Sequence, residues 1–143
     1  MPPLPAADPA EVTELFDQYR RMGELLHLVI ADRTSDVYLG EVMVTVGEDR
    51  IGELGIGVVS GARHTGLATA AFQVFVSWTA TALGLRRLQV LVAPENLSAL
   101  RLAERTGFQR EGVLRAYWEH DGANVDAIML SMLPAEVARR PST

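Results

Sequence analysis

The residues best suited to chemistry lie in the segment 51–72, where an apolar run precedes a short polar loop and then a helical pattern. The run 51–59 is typical of a buried strand, and a helix is predicted to begin at Gly66. A strand that leads through such a loop into a helix directs backbone N–H groups and the positive end of the helix dipole at one point. Arg63 lies on the loop and could add a positive charge. The pattern therefore predicts a site for phosphate or another anion.

The loop and three later motifs together point to a family. Residues 63–68 read Arg-His-Thr-Gly-Leu-Ala and fit the pattern Gln/Arg-x-x-Gly-x-Gly/Ala. Pro-Glu-Asn follows at 94–96, Glu-Arg-Thr-Gly-Phe at 104–108, and Arg-Glu-Gly-Val-Leu-Arg at 110–115. With this series the sequence resembles the GNAT superfamily of acyl-CoA-dependent N-acyltransferases. It is most similar to the RimJ/RimL-like branch, which acetylates N-termini of ribosomal proteins, and the resemblance extends over residues 28–133.

The resemblance implies a site for acyl-CoA. In the family, the loop and first helical turn hold the pyrophosphate, and the pantetheine arm lies between the preceding strand and a parallel neighbour from which that strand splays. His64 stands where the family commonly has glycine, so its side chain would crowd the phosphate, hydrogen-bond to it or face solvent. The residues implied to bind the cofactor are Val58, Val59, Arg63, His64, Thr65, Gly66, Leu67, Ala68, Thr69 and Asn96. Asn96 is also a good N-cap for the helix that follows, and the two roles are compatible.

Two glycines of the apolar run superficially match a dinucleotide-binding fingerprint. Such a fingerprint needs its glycines at the turn from strand to helix, whereas Gly55 and Gly57 fall inside the predicted strand. Glycine within a strand marks a bulge or a close approach to the backbone. Close approach of pantetheine is the interpretation that the resemblance implies, and tight packing alone is the alternative.

The resemblance also implies a reaction, the direct transfer of an acetyl group from acetyl-CoA to a primary amine. A protonated amine has no lone pair with which to attack a thioester, so the chemistry needs a base. Glu53 lies six residues before Val59, the spacing at which related histone-type acetyltransferases carry a glutamate that acts through water. Glu41 is held in reserve, and a half-exposed strand glutamate without a catalytic role is the alternative. An N–H group of Val58 or Val59 could polarise the thioester carbonyl.

The group that would protonate the leaving thiolate departs from the family pattern. Many members carry Tyr four residues before the glycine of Gly-Phe, where this chain has Ala103. The RimJ/RimL-like branch often carries Ser three residues after the asparagine, where this chain has Ala99. Ser98 is one position early, which rotates a helical side chain by about 100°. Tyr117 is a further candidate, and unassisted departure of the thiolate or low activity are the other possibilities.

The resemblance implies a mixed α/β scaffold of the GNAT type, with a twisted sheet of about six strands, and the strand-helix-strand pattern over 51–92 predicts its central parallel βαβ pair. Strands are predicted at 25–31, 37–46, 51–59, 88–92, 108–119 and 124–133, and helices at 9–22, 66–83 and 97–106. Asp121-Gly122 is a strong hairpin signal. Residues 1–143 are expected to form one domain, with a flexible lead-in over 1–9 and a frayed tail over 134–143. The family normally opens with a strand and two helices, whereas one helix is predicted here before the first strands, so the acceptor side is expected to be open or completed by a partner subunit in a homodimer.

Composition limits the other classes of function. A net charge of −5 argues against general nucleic-acid binding, which needs a basic surface. The sequence has no cysteine, no run long enough to span a membrane and no signal peptide, so a cytoplasmic protein without membrane partners is expected. His27, His64 and His120 lie in different predicted elements without ligand spacing, and no metal site is expected.

Two alternatives to an enzyme of this kind follow from the same departures. A non-catalytic module could retain the acyl-CoA loop, or serve in subunit interaction, with a degenerate active site. A transferase specialised for an acceptor of secondary metabolism is the other possibility.

Overall fold

The computed structural model describes residues 25–31, 35, 38–58 and 66–138, and it confirms the predicted mixed α/β fold. The described strands form one six-stranded sheet in the order β1-β2-β3-β4-β6-β5. The strands are β1 (Leu25–Ala31), β2 (Tyr38–Val46), β3 (Ile51–Val58), β4 (Arg87–Val92), β5 (Gln109–His120) and β6 (Ala123–Met132). The helices are α1 (Leu67–Ala82), α2 (Leu97–Thr106) and α3 (Pro134–Ala138). The predicted lead-in and the predicted helix over 9–22 lie outside the described residues.

Strand pairing follows the predicted topology. β1, β2 and β3 form an antiparallel meander, as the short polar turns between them indicate. The chain then passes through α1 and returns as β4, which pairs parallel to β3. β6 pairs antiparallel with both β4 and β5. The predicted βαβ unit over 51–92 is therefore confirmed as a parallel pair at the centre of the sheet.

One face of the sheet carries the hydrophobic core. Alternate residues of the central strands are buried there, as the period of two in a strand requires, and they pack with apolar residues of α1 and α2. The buried set includes Val42, Val44, Leu54, Leu88, Val90, Leu130, Phe72, Phe75 and Leu100. Polar residues of β3 and β4 therefore lie on the opposite face. In the part of the chain that the structure describes, no helix has the length and apolar character needed to cross a membrane.

The β5–β6 hairpin forms one edge of the sheet. Its turn is Asp121-Gly122, with φ of 51° and 77°, and positive φ at both central residues is the type I′ pattern that the sequence predicted. The pairing of β5 with β6 jumps from Leu114 opposite Ala127 to Trp118 opposite Val125. Three residues of β5, 115–117, thus lie opposite Asp126 alone, and β5 is exposed over most of its length.

The expectation of a frayed tail from Pro134 is wrong for residues 134–138. They form α3, and Val137 packs against the core. Pro134 provides a favourable first helical residue, and the carboxylate of Glu136 accepts hydrogen bonds from the Leu133 backbone N–H at 2.8 Å and from Gln109 Nε2 at 3.0 Å. The first of these bonds is half of a capping box, which accounts for a helix where composition predicted an end.

Candidate active site

The candidate site begins where the two central parallel strands diverge. The ladder between β3 and β4 pairs Ile51 with Arg87, Gly52 with Leu88, and Glu53 with Gln89. Beyond that third pair β3 continues for five residues to Val58, and β4 continues for three to Val92. β3 remains paired with β2 over this length. The sheet therefore opens between the carboxyl halves of β3 and β4.

Backbone groups that face this opening can be assigned from the alternation of hydrogen-bond direction along a strand. The carbonyl of Ile51 accepts from Gly47 on the β2 side, and that of Arg50 accepts from Arg86 on the β4 side. Every second residue of β3, counted from Arg50, thus directs its N–H and C=O toward β4. Ile56 and Val58 are two of these residues. Val58 was implied by the sequence resemblance. Ile56 was missed, although the alternation along β3 could have indicated it.

The N-terminus of α1 follows β3 after the undescribed segment 59–65. Its N-cap, Gly66, has φ of 83°, a left-handed conformation that glycine adopts without the steric cost of a Cβ. Among the described residues no side chain caps this end, and the first turn contains no acidic residue. The first N–H groups of a helix lack intrahelical partners, so those of Leu67, Ala68 and Thr69 can receive an anion. This arrangement fits the pyrophosphate of an acyl-CoA.

Four of the residues implied for the cofactor cannot be placed. Val59, Arg63, His64 and Thr65 lie outside the described residues. Their contacts, including the effect of a histidine at position 64, stay predictions.

The two glycines of β3 lie inside the strand, as predicted, and not at the turn into α1. A Cβ added to Gly55 would stand 3.2 Å from Met43 Cγ, which is tighter than ordinary contact, so a side chain at position 55 would require Met43 to shift by a few tenths of an ångström. Gly57 is exposed, and a Cβ there would meet Glu41 Cγ at an ordinary 3.9 Å. The described neighbours therefore do not require glycine at position 57, and close approach by a ligand remains the interpretation for it.

Glu53 lies at the point where β3 and β4 separate. Its side chain is half-buried on the face opposite the core. Gln89, its partner across the ladder, donates a hydrogen bond from Nε2 to Glu53 Oε1 at 3.1 Å. Sequence analysis found the glutamate but missed the glutamine, because the two are 36 residues apart and only the parallel register joins them.

Gln89 in turn belongs to a hydrogen-bonded series that crosses four strands. Arg87 Nε donates to Gln89 Oε1 at 3.0 Å, and the Arg87 guanidinium binds both carboxylate oxygens of Glu111. Ser131 Oγ donates to Glu111 Oε2 at 2.8 Å. We call Gln89, Arg87, Glu111 and Ser131 the polar relay.

The charge state of the relay is well defined. The hydrogen bond from Arg87, followed by that from Ser131, lowers the pKa of Glu111 to about 2. Glu111 in return raises the pKa of Arg87. The pair is therefore ionised at neutral pH, and it presents a fixed donor, Arg87 Nε, to the amide oxygen of Gln89.

The reserve base, Glu41, has a different environment. Tyr38 donates from its hydroxyl to Glu41 Oε2 at 3.2 Å. Glu41 lies on β2, where it pairs with Gly57 of β3. Thr45, four residues further along β2, pairs with Glu53. The two glutamates are thus about 13 Å apart along the sheet, at about 3.3 Å per residue.

Asn96 and Ser98 lie at the start of α2. Asn96 Oδ1 accepts a hydrogen bond from the Ala99 N–H at 3.2 Å, which confirms the predicted N-cap. Ser98 is exposed, whereas Ala99 is partly buried against the core. The one-residue displacement therefore turns the hydroxyl away from the direction that Ala99 takes.

Tyr117 lies in the bulge of β5, where Ala116 has φ of 51° and its N–H donates to Asp126 Oδ1 at 2.8 Å. The tyrosine is 50% exposed and packs edge-on against Trp118, with ring centroids 5.7 Å apart. No hydrogen bond within the described segments joins Tyr117 or Ser98 to Glu53. The structure thus does not bring the three predicted catalytic side chains into direct contact.

A parallel pair that separates before a helix N-terminus with no side-chain cap among the described residues, and with a carboxylate at its paired end, fits one class of protein, the acyl-CoA-dependent acyltransferases. Comparison with known families supports this class. A family model described as an acetyltransferase (GNAT) domain matches residues 1–109. The chain therefore belongs to the GNAT acetyltransferase family and is an acyl-CoA-dependent acetyltransferase.

Individual relatives show the same family in bacteria. The chain is 28% identical to the uncharacterized N-acetyltransferase p20 of Bacillus licheniformis over 130 residues, 90% of this chain and 73% of the relative. Mycobacterium smegmatis RimJ, solved with CoA-disulfide, has a TM-score of 0.74 and 28% identity, covering 89% of this chain and 61% of that one. Vibrio cholerae spermidine N-acetyltransferase, solved with CoA and spermine, has a TM-score of 0.75 and 23% identity, covering 91% and 78%. The likeness to the spermidine N-acetyltransferase shows that the two chains share a fold.

Proposed function

We propose that this protein transfers an acetyl group from acetyl-CoA directly to a primary amine. The observation that carries the proposal is the opening between β3 and β4, which begins after the pair of Glu53 with Gln89 and lies between the carboxyl ends of the two strands. Backbone groups facing the opening suit the amides of a pantetheine arm, and the N–H groups of Leu67, Ala68 and Thr69 suit a pyrophosphate.

In the proposed reaction the amine nitrogen attacks the thioester carbonyl carbon. A C–N bond forms, the C–S bond breaks, and the sulfur leaves as the CoA thiolate. Before the attack, the ammonium group loses one proton through a water to the carboxylate of Glu53, which frees the nitrogen lone pair. After the C–N bond has formed, the nitrogen loses a second proton to water, which leaves a neutral amide. The thiolate leaves unassisted or takes a proton from Tyr117 or Ser98, which are the candidates in this chain.

The N–H of Ile56 is the best candidate to stabilise the oxyanion. A carboxylate acting through water reaches a nitrogen about 5–6 Å from its oxygen, which is two hydrogen bonds of about 2.8 Å. The Cα atoms of Glu53 and Ile56 are about 10 Å apart along the strand, against about 17 Å for Val58. Ile56 therefore suits the reacting carbonyl, and Val58 suits a more distant part of the pantetheine arm.

The acceptor that we propose is a cationic amine, either a protein N-terminus or a small polyamine. A net charge of −5 favours the approach of cations. Membership of the RimJ/RimL-like branch is supported by the sequence motifs and by the likeness to RimJ, and it favours the peptide acceptor. Spermidine and a peptide with N-terminal alanine, each assayed for acetyl-CoA-dependent thiol release, discriminate the two.

The first experiment is calorimetric titration of the protein with acetyl-CoA, with NAD and ATP as controls. Saturable binding of acetyl-CoA alone is expected. Absence of binding would contradict the proposed cofactor site.

Glu53→Gln tests the proposed base. The substitution keeps the shape and the hydrogen-bonding capacity of the side chain but cannot take a proton, so kcat should fall at least about 100-fold while the affinity for acetyl-CoA stays unchanged. Glu41→Gln is the matched control and should retain activity. The reverse result, with activity lost only in the Glu41 variant, would assign the base to Glu41.

A further inference from the structure

We propose that Gln89 is a positioning residue for Glu53, and that the polar relay determines which oxygen of Glu53 takes the proton. This inference rests on the proposed function, in which Glu53 is the general base. Gln89 touches neither proposed substrate in this scheme and would act only through the carboxylate.

The first step of the argument is the orientation of the Gln89 amide. Arg87 Nε is a donor and can only be met by the amide oxygen. The amide nitrogen must then face Glu53, where it meets Oε1 at 3.1 Å. Donor and acceptor chemistry thus permits one orientation of the amide as long as Arg87 holds its place.

Arg87 is held by groups with little freedom. Its guanidinium makes a bidentate ion pair with Glu111, and the Arg87 side chain is 21% exposed. Glu111 is held in turn by the hydroxyl of Ser131, which is 8% exposed. Bidentate pairs fix direction as well as distance, so the relay transmits a fixed geometry from β5 and β6 to β3.

The relay determines the orientation of the Glu53 carboxylate. A carboxylate that accepts a hydrogen bond at Oε1 has its rotation about the terminal torsion restricted, and Oε2 becomes the oxygen that receives a proton from the bridging water. Among the residues that the structure describes, Glu41 of β2, Arg87 of β4 and Glu111 of β5 are charged groups on this face, and of these three Arg87 is hydrogen-bonded to Gln89.

The decisive variant is Gln89→Glu, which retains an acceptor for Arg87 but places a carboxylate against Glu53. A like charge raises the pKa of a neighbouring carboxyl by about one unit or more. The acidic limb of the profile of kcat/KM against pH should therefore move to higher pH by about that amount, with KM for acetyl-CoA unchanged. Gln89→Leu removes both hydrogen bonds and should lower kcat roughly tenfold.

Gln109→Glu is the matched control. Gln109 donates to a glutamate, Glu136, in the same way at 3.0 Å, but it lies on β5, which β4 and β6 separate from β3. The Gln109→Glu substitution should change the free energy of unfolding without moving the profile of kcat/KM against pH. A shift of equal size in both variants would overturn the inference, because it would report a general electrostatic or folding effect.

Titration of the Glu53 side-chain carboxyl by carbon NMR gives a readout independent of turnover. Its titration should move to higher pH in Gln89→Glu, and an unmoved titration would overturn the inference. Glu53→Gln separates the two proposals. If that variant is inactive while the Gln89 variants keep the wild-type pH profile, the positioning role fails alone. If Glu53→Gln is fully active, the proposed base fails and the inference with it.

Discussion

The ion pair of Arg87 with Glu111 illustrates how a partly exposed charge pair can still define a geometry. The Glu111 side chain is 44% exposed, and exposed pairs contribute little to stability on average. Here two parallel hydrogen bonds and a third from Ser131 restrict the carboxylate. The pair therefore has its main effect on orientation, and a smaller, pH-dependent effect on folding.

That pH dependence has a definite sign. The pKa of Glu111 is lowered from 4.5 to about 2, so the folded state binds fewer protons than the unfolded state between these values. Its stabilising contribution is complete above pH 4.5 and is lost as the pH falls toward 2. Urea unfolding of wild type and Glu111→Gln from pH 6 to pH 2 should show a difference in free energy that shrinks over this window.

Glu104→Gln serves as the comparison, because Glu104 pairs with Arg110 at 3.0 Å where both side chains are about half exposed. That variant should differ little from wild type throughout. A difference for Glu111→Gln that stayed constant down to pH 2 would contradict the assignment of the lowered pKa to folding.

At the scale of elements, the two helices beside the site begin in different ways. α1 begins at a glycine with no side-chain cap among the described residues, whereas α2 begins at an asparagine whose side chain binds its first turn. An uncapped N-terminus suits an external anion. A capped one stabilises the helix itself, and a ligand contact by Asn96 would be an additional role.

Substitutions of Asn96 separate these two roles. Asn96→Ala should lower the free energy of unfolding by about 1 kcal/mol, because a helix N–H loses its partner. Asn96→Asp is an equally good cap and should restore that stability. If Asn96 also contacts CoA, the aspartate should leave the affinity for acetyl-CoA reduced through repulsion of the anionic ligand. Calorimetry and urea unfolding of both variants measure the two effects, and full affinity in Asn96→Asp would leave the cap as the only role.

At the scale of the whole molecule, the opening between β3 and β4 depends on a core that holds both strands from one face. Leu88 of β4 and Leu54 of β3 are buried beneath α1 residues such as Phe72 and Phe75. The paired ends of the strands are thus fixed by packing, while their carboxyl ends separate. A loss of core volume should act on the stability of the whole domain.

Leu88→Ala tests this point. The side chain has 0% exposure, and its truncation should cost about 2–5 kcal/mol in the free energy of unfolding through lost burial and a residual cavity. Leu97→Ala makes the same chemical change at a position that is 57% exposed, and it should change stability by less than about 0.5 kcal/mol. Equal effects in urea unfolding would show that β4 is not part of the core as described.

The sequence by itself determined the elements and their order, because their signals are local. Alternation marked the strands, helical spacing marked α1 and α2, and Asp121-Gly122 marked the hairpin turn. The strand-loop-helix pattern at Gly66 indicated an anion site for the same reason. The short α3 was missed, because a helix of five residues is too short to show helical spacing in the sequence.

Only the tertiary structure decided which side chains meet. Gln89 reaches Glu53 because the parallel register of β3 and β4 sets them side by side. Glu111 is the extra residue of an irregularity in β5, where pairing passes from Arg110 directly to Gly112, and its contact with Arg87 and Ser131 joins three strands. The strand period cannot predict such an insertion, because one added residue reverses the face of every residue beyond it.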